Sequence, residues 1–254
     1  MALRTQVPDF AKVALKDAAF HLWRLVDRVF QGPFDKYDFQ TRQVLRRCLR
    51  PDSNCVDVGA HAGHILRDMV AAAPRGQHLA VEPVPRFHEL LARKFGTRVT
   101  LLDCALSDHE GEAEFVWFPE RPALSGFRER TMTTDYRPER FRVRTRRLDD
   151  VVPPGQRIDL VKIDVEGAEL QVLRGAAATL RAWRPIVLFE TGPGGADEYG
   201  TRPEEIFDLL AGAGLAVSVM EYWLAGKLPL SREEFLGRFL KGYDFFFMAY
   251  PLPP

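Results

Sequence analysis

Apolar positions recur along this chain in two rhythms, and the way they alternate predicts its architecture. Leu22, Leu25, Val26, Val29 and Phe30 share one face at helical spacing, which predicts an amphipathic helix over residues 10–31. The Gly32–Pro33 pair ends it, and a second helix is expected over 38–49, stopped by Pro51. Beyond that point, short uninterrupted apolar runs alternate with longer periodic stretches. The runs predict strands at 55–58, 78–82, 99–106, 158–164, 186–190, 215–222 and 243–250. The periodic stretches predict helices at 64–73, 85–95, 167–181, 203–213 and 231–240. Two more strands, EAEFVW and FRVRTRRL, flank an arginine-rich excursion at about 117–142.

Strands joined through crossover helices imply a mostly parallel sheet with both faces covered, an α/β fold. Ligands in such sheets sit outside the carboxyl ends of the strands, so the residues just after Val58, Val81, Asp103, Ile163 and Phe189 are where a site is expected. With no internal repeat, the expected organisation is a helical extension over 1–50 followed by one α/β domain over 51–254. The extension is read as a cap, or as a face through which a homo-oligomer forms.

Composition narrows the function. Lysine plus arginine equals aspartate plus glutamate, 35 against 35, which argues against a nucleic-acid backbone as partner. Charge is nonetheless uneven, with nine arginines between 121 and 147. Cys48, Cys55 and Cys104 are too few and too irregular for a disulfide framework or a zinc cluster. With no signal-like segment and no apolar run of membrane-spanning length, a cytoplasmic protein with no membrane partner is expected.

The stretch NCVDVGAHAGHI places Asp57, Gly59 and Gly63 at the first strand-to-helix turn. Glycine there permits a tight turn and close approach of a ligand, and the helix start offers unpaired N–H groups to an anion. A dinucleotide turn prefers G-x-G-x-x-G, whereas this one is D-x-G-x-x-x-G. An acidic strand end suits a ligand with an amino group and a sulfonium better than it suits two phosphates, which points to S-adenosylmethionine. Glu82, ending the second strand, is placed to accept hydrogen bonds from ribose hydroxyls. Nicotinamide and methyl-donor cofactors both use such an acid, so Glu82 alone does not separate them.

Five segments, VDVGAHAGH, AVEPVPRFHELL, TLLDCALSDHEGEAEF, TRRLDDVV and IDLVKIDVEGAELQVLRGA, resemble the FkbM-type methyltransferases, from about residue 37 to 191. The resemblance implies a class I Rossmann-like methyltransferase: a seven-stranded, mostly parallel sheet whose last strand inserts antiparallel. It also implies use of S-adenosylmethionine to methylate hydroxyls of natural products and sugars. Asp57, Gly59, Ala60, His61, Gly63, Glu82 and Asp164 are the expected cofactor contacts, with Ala105 and Leu106 beside the adenine. His61 departs from the family, which has asparagine there.

A neutral alcohol is a poor nucleophile, so a base or a metal ion must assist its methylation. Asp164, Glu166 and Glu190 are the candidates. Asp164 and Glu190 end neighbouring strands, resembling the acid pair that binds Mg²⁺ in catechol-type O-methyltransferases. Glu166 serves either as base or as an acceptor for backbone N–H groups, and Asp164 serves either chemistry or the methionine amino group. A metal shared by His61 and His64 is disfavoured. The excursion is expected to cover a small-molecule acceptor, with Ser125, Gly126 and Phe127 nearest and Arg128 and Arg130 reaching polar groups. The expected function is therefore S-adenosylmethionine-dependent O-methylation of a natural product or sugar-containing metabolite. The alternatives are an NAD-dependent oxidoreductase, disfavoured by the missing middle glycine, and a non-enzymatic cofactor-binding scaffold.

Overall fold

The structure, a computed structural model, describes residues 33–120, 124–128 and 137–252. The helix expected over 10–31 and Arg130 lie outside the described residues. The chain divides into two units, 1–40 and 41–254. Helix α1 (Pro33–Cys48) begins in the first, and from Thr41 onward belongs to the second. There the Thr41 hydroxyl faces the Met220 sulfur at 3.6 Å and Arg42 pairs with Asp68 at 2.7 Å. The α/β unit thus starts before residue 51.

The chain then runs through β1 (Cys55–Val58), α2 (His64–Ala72), β2 (His78–Val81), α3 (Pro85–Phe95) and β3 (Val99–Leu102). Next come β4 (Ala105–Leu106), β5 (Gly111–Trp117), β6 (Glu139–Arg146), α4 (Leu148–Val151) and β7 (Leu160–Ile163). After them follow α5 (Glu169–Arg174), α6 (Ala177–Trp183), β8 (Ile186–Glu190), α7 (Pro203–Gly212) and β9 (Leu215–Ser218). The chain closes with α8 (Met220–Leu224), α9 (Arg232–Leu240) and β10 (Phe246–Pro251). Seven strands form one sheet in the order β3-β2-β1-β7-β8-β10-β9. The first five are parallel, and β10 runs antiparallel to both its neighbours. This is the expected class I arrangement.

Burial explains the central strands. Every residue of β1, β2 and β7 is buried, as parallel strands covered on both faces must be. The core passes through Val56, Val161, Val187 and Phe247 to Phe235 of α9, whose ring meets Phe247 edge-on at 4.9 Å. Strand order reverses between β1 and β7, so the switch-point crevice opens beyond Val58 and Ile163, which are register partners.

Three expectations change. The strand foreseen over 99–106 breaks at Asp103–Cys104: β3 is an edge strand of the main sheet, and β4 leaves it to pair with β6 in a second sheet of three strands. The helix foreseen over 167–181 is two, split at Gly175, where a Cβ would lie 2.0 Å from the Ser107 carbonyl oxygen. The strand foreseen over 215–222 ends at Ser218, and α8 follows. There Tyr222 turns its ring to Arg238, 4.8 Å from the guanidinium.

Candidate active site

Gly59 leaves β1 at φ +74, and its missing side chain lets the turn press against the end of β7. The N–H groups of Gly59 and Ala60 both donate to the Val81 carbonyl, at 3.0 and 3.2 Å, tying the turn to β2. Gly63, at φ +75, precedes α2 and fits against Leu91 and Phe95, leaving no room for a Cβ. His61, between them, is itself at φ 47, in the region that disfavours side chains.

Glu82 completes this turn from the next strand. Its carboxylate accepts the His61 N–H at 2.7 Å and the Val84 N–H at 2.9 Å, and the residue is 4 % exposed. Burial pushes its pKa up to about 7, against the two backbone hydrogen bonds. Each carboxylate oxygen retains a second lone pair for another donor. The His61 ring lies 4.0 Å from that of Phe87. Although His61 counts among the exposed residues, desolvation of its ring, and then the nearby Lys162 cation, lower its pKa to about 4. It is a neutral imidazole at neutral pH.

Behind the turn lies a buried charge cluster. Asp57 is 1 % exposed and neither carboxylate oxygen has a hydrogen-bond partner. Its register partner Lys162, on β7, brings its ammonium to 3.4 Å from Asp57 Oδ1. The same ammonium donates to the Gly59 carbonyl at 3.0 Å and lies 3.2 Å from Asp164 Oδ2. Burial opposes the lysine's charge, but Asp164 and Asp57 hold its pKa above the usual range. Asp57 therefore faces Lys162 within the sheet.

At the mouth of the crevice stand Asp164, Glu166 and Glu190. One oxygen of each lies within 4.8 Å of the others, and among the described residues no other group of three or more acids, histidines or cysteines is close enough to share a metal ion. Burial works against the Asp164 carboxylate, yet Lys162 and a hydrogen bond from Glu190 outweigh it and lower its pKa. Burial and the Asp164 charge raise that of Glu190. The two shifts run in opposite directions, as expected for neighbouring carboxyl groups of which only one has a cation beside it. Glu166 sits at φ 59 in the tight turn before Gly167. Capping of that turn falls to Glu169, which accepts the Val165 and Gly167 N–H groups at 3.2 and 3.0 Å. Glu169, like Lys162, was missed by sequence reasoning; a glutamate opening a helix right after the turn was the signal for it.

The other expected residues lie in the second sheet or around it. Leu106 is packed in the main core, and Ala105 in a smaller cluster with Val84, Phe115 and Val143, beside Phe87, Trp117, Phe127 and Phe141. Residues 124–128 return to β5: Gly126 exchanges backbone hydrogen bonds with Val116, and Ser125 Oγ accepts the Phe118 N–H at 3.0 Å. Phe127 donates its N–H to the Tyr199 hydroxyl at 2.9 Å, linking the excursion to the segment after β8. Tyr199→Phe removes that acceptor, worth about 1 kcal/mol. Amide exchange at Phe127 should then run several-fold faster; an unchanged rate would mean that the bond does not hold this residue to the segment after β8. The arginines of β6 are spoken for. Arg140 pairs with Glu114, Arg142 with Glu112 and Arg144 with Asp103, at 3.1, 3.0 and 2.6 Å. No helix among the described residues is long and apolar enough to cross a membrane.

A family model for the methyltransferase FkbM domain matches residues 57–215. The AMB antimetabolite synthetase AmbE of Pseudomonas aeruginosa is 31 % identical over 211 residues, which covers 68 % of this chain and 10 % of that protein. Methyltransferase sdnD of Sordaria araneosa is 34 % identical over 154 residues, covering 47 % and 59 %. The 2-O-methyltransferase NoeI of Sinorhizobium fredii is 31 % identical over 162 residues, covering 57 % and 66 %. The chain thus corresponds to part of the length of each. Because the family match begins at Asp57, takes in the whole crevice and reaches β9, the chain belongs to the FkbM methyltransferase family.

Proposed function

We propose that this methyltransferase uses S-adenosylmethionine and methylates a hydroxyl group of a small natural product or sugar-containing metabolite. The observation that carries the donor is the acidic group Asp164, Glu166 and Glu190 beside the glycine turn, together with Glu82, a buried strand-end carboxylate with lone pairs left for ribose hydroxyls. The donor set fits. Asp164, Glu166 and Glu190 make the crevice acidic, which suits a sulfonium and an ammonium and repels a pyrophosphate. When bound, the sulfonium supplies the methyl group. The start of α2, which follows the turn of Gly59, Ala60, His61 and Gly63, is the site for the carboxylate of the amino-acid end. Asp164, at the end of β7 and grouped with Glu166 and Glu190, takes the proton of the acceptor hydroxyl.

Support for the hydroxyl acceptor comes from this carboxylate pair and from the similarity to NoeI, a 2-O-methyltransferase. A second reading gives the Asp164, Glu166 and Glu190 oxygens a Mg²⁺ ion, since hard carboxylate oxygens are its preferred ligands. The Lys162 ammonium, 3.2 Å from Asp164 Oδ2, opposes a second cation at that oxygen. Turnover that survives a chelator supports the base, and loss restored by Mg²⁺ supports the ion.

Calorimetry with S-adenosylmethionine, S-adenosylhomocysteine and NAD tests the donor. Heat is expected with the first two, and heat with NAD alone would overturn the proposal. Glu82→Gln should weaken S-adenosylmethionine binding by about 10- to 100-fold, because one amide N–H₂ must face a backbone N–H group. The pH dependence supplies the sign. With its pKa near 7, Glu82 gains its charge as pH rises from 6 to 8, so wild-type affinity climbs over that window. The Gln variant should lose that climb; a climb that persists would assign it to another group.

A further inference from the structure

Lysine is seldom found inside a strand buried on both faces, yet Lys162 occupies the middle of β7 and is 6 % exposed. Stability gives no reason for it, since an apolar residue in place of a buried ion pair is often tolerated equally well or better. Its surroundings do. An ammonium has three N–H donors, and three oxygens lie around this one: Gly59 O at 3.0 Å, Asp164 Oδ2 at 3.2 Å and Asp57 Oδ1 at 3.4 Å.

We propose that Lys162 is a positioning residue, whose ammonium joins the glycine turn that receives the methyl donor to the carboxylate that faces the acceptor. The inference rests on the methyl-donor reading above. Gly59 is held from two sides: its N–H is tied forward to Val81 on β2, and its carbonyl is drawn back by Lys162 on β7. Turn and carboxylate are thereby set at a fixed separation, which in-line transfer between two bound reactants demands. Asp57 has a specific part in this. With both oxygens otherwise unpartnered, it supplies the countercharge that keeps the ammonium in the sheet. That is a different task from touching the cofactor.

Lys162→Met alone strands the Asp57 charge in the core and threatens folding, so the informative variant is Asp57→Asn with Lys162→Met, measured against Asp57→Asn alone. Two readouts are needed. S-adenosylmethionine affinity by calorimetry should fall about tenfold or more in the double variant relative to the single one. Amide exchange by NMR should accelerate at least tenfold at Gly59 and Ala60, while amides of β8 and β10 keep their rates. Unchanged affinity with uniform acceleration across all strands would make Lys162 a purely structural residue and overturn the proposal, as would no change in either readout. If Asp57→Asn binds while the double variant unfolds, Lys162→Arg takes its place. It keeps the charge but not the fit to three oxygens, and wild-type affinity and exchange in it would refute positioning. A wild-type protein that binds no S-adenosylmethionine overturns the donor reading, and this inference with it.

Discussion

Gly59→Ala is expected to remove most of the protein's stability. An added Cβ there would lie 1.9 Å from the carbonyl oxygen of Asp164, and the atom it meets is backbone, which has no rotamer to yield. Both sides of the contact are pinned. The Gly59 N–H is bonded to Val81 at 3.0 Å, and the Asp164 N–H to Val58 at 3.1 Å. Relief therefore requires separating the ends of β1 and β7, the two central strands. The positive φ adds about 1–2 kcal/mol for any residue with a Cβ. Together these should cost more than about 4 kcal/mol, in the range where a single change unfolds a domain. Gly155→Ala isolates the backbone share, because Gly155 has a φ of +77 with nothing within 4 Å of its would-be Cβ. Chemical denaturation of both variants checks the argument. Equal losses would mean that the contact at Gly59 is soft.

Local pattern predicts structure here wherever the partner of a segment is its own sequence neighbour or the bulk of the core. The strands at 55–58 and 186–190 and the helix at 85–95 follow directly from unbroken apolar runs, from a proline at the helix start and from a glycine after its end. The run over 99–106 is apolar enough for one strand, but its second half finds its partner only in Thr145 and Arg146, some forty residues on, and no local signal reports that pairing. Gly175 gives a similar lesson. Its helix breaks because of the Ser107 carbonyl, a long-range contact, while the apolar spacing runs through the break undisturbed.

The site divides in the same way. Glu82, Asp164 and Glu190 are visible in the sequence because acids just where apolar runs end fall at strand ends, and Asp57 because it precedes the glycine turn. Lys162 is equally visible as a letter, a lone charge in the run LVKI, but its meaning depends on Asp57 being its register partner. The sequence shows the two residues without showing that they face each other. Three of the arginines after residue 121 illustrate the converse. The number of arginines there suggests a binding surface, whereas Arg140, Arg142 and Arg144 are matched by acids of β5 and the β3 end.

Under the proposed transfer to a hydroxyl group, Asp164→Asn should lower kcat by about 10²- to 10⁴-fold, the range for loss of a positioned base. Asparagine is close in shape, and its carbonyl oxygen can still accept from Lys162, 3.2 Å away in the native protein. The turn, the clamp behind it and S-adenosylmethionine affinity should therefore survive while the proton acceptor is lost. Glu190 supplies the contrast. Burial and the Asp164 charge favour its protonated form, so Glu190→Gln keeps a donor in the same place and should cost less than about tenfold. With an acceptor that the wild type methylates, kcat for the two variants and their calorimetric affinities for the donor form a four-way comparison. A large loss in Asp164→Asn with binding intact assigns Asp164 to the chemistry. Weakened binding with kcat preserved assigns it to the amino group of the donor, and a larger loss in Glu190→Gln places the departing proton on Glu190. The ordering depends on one feature of the site, the Lys162 ammonium 3.2 Å from Asp164 Oδ2, which favours ionisation of Asp164 over Glu190.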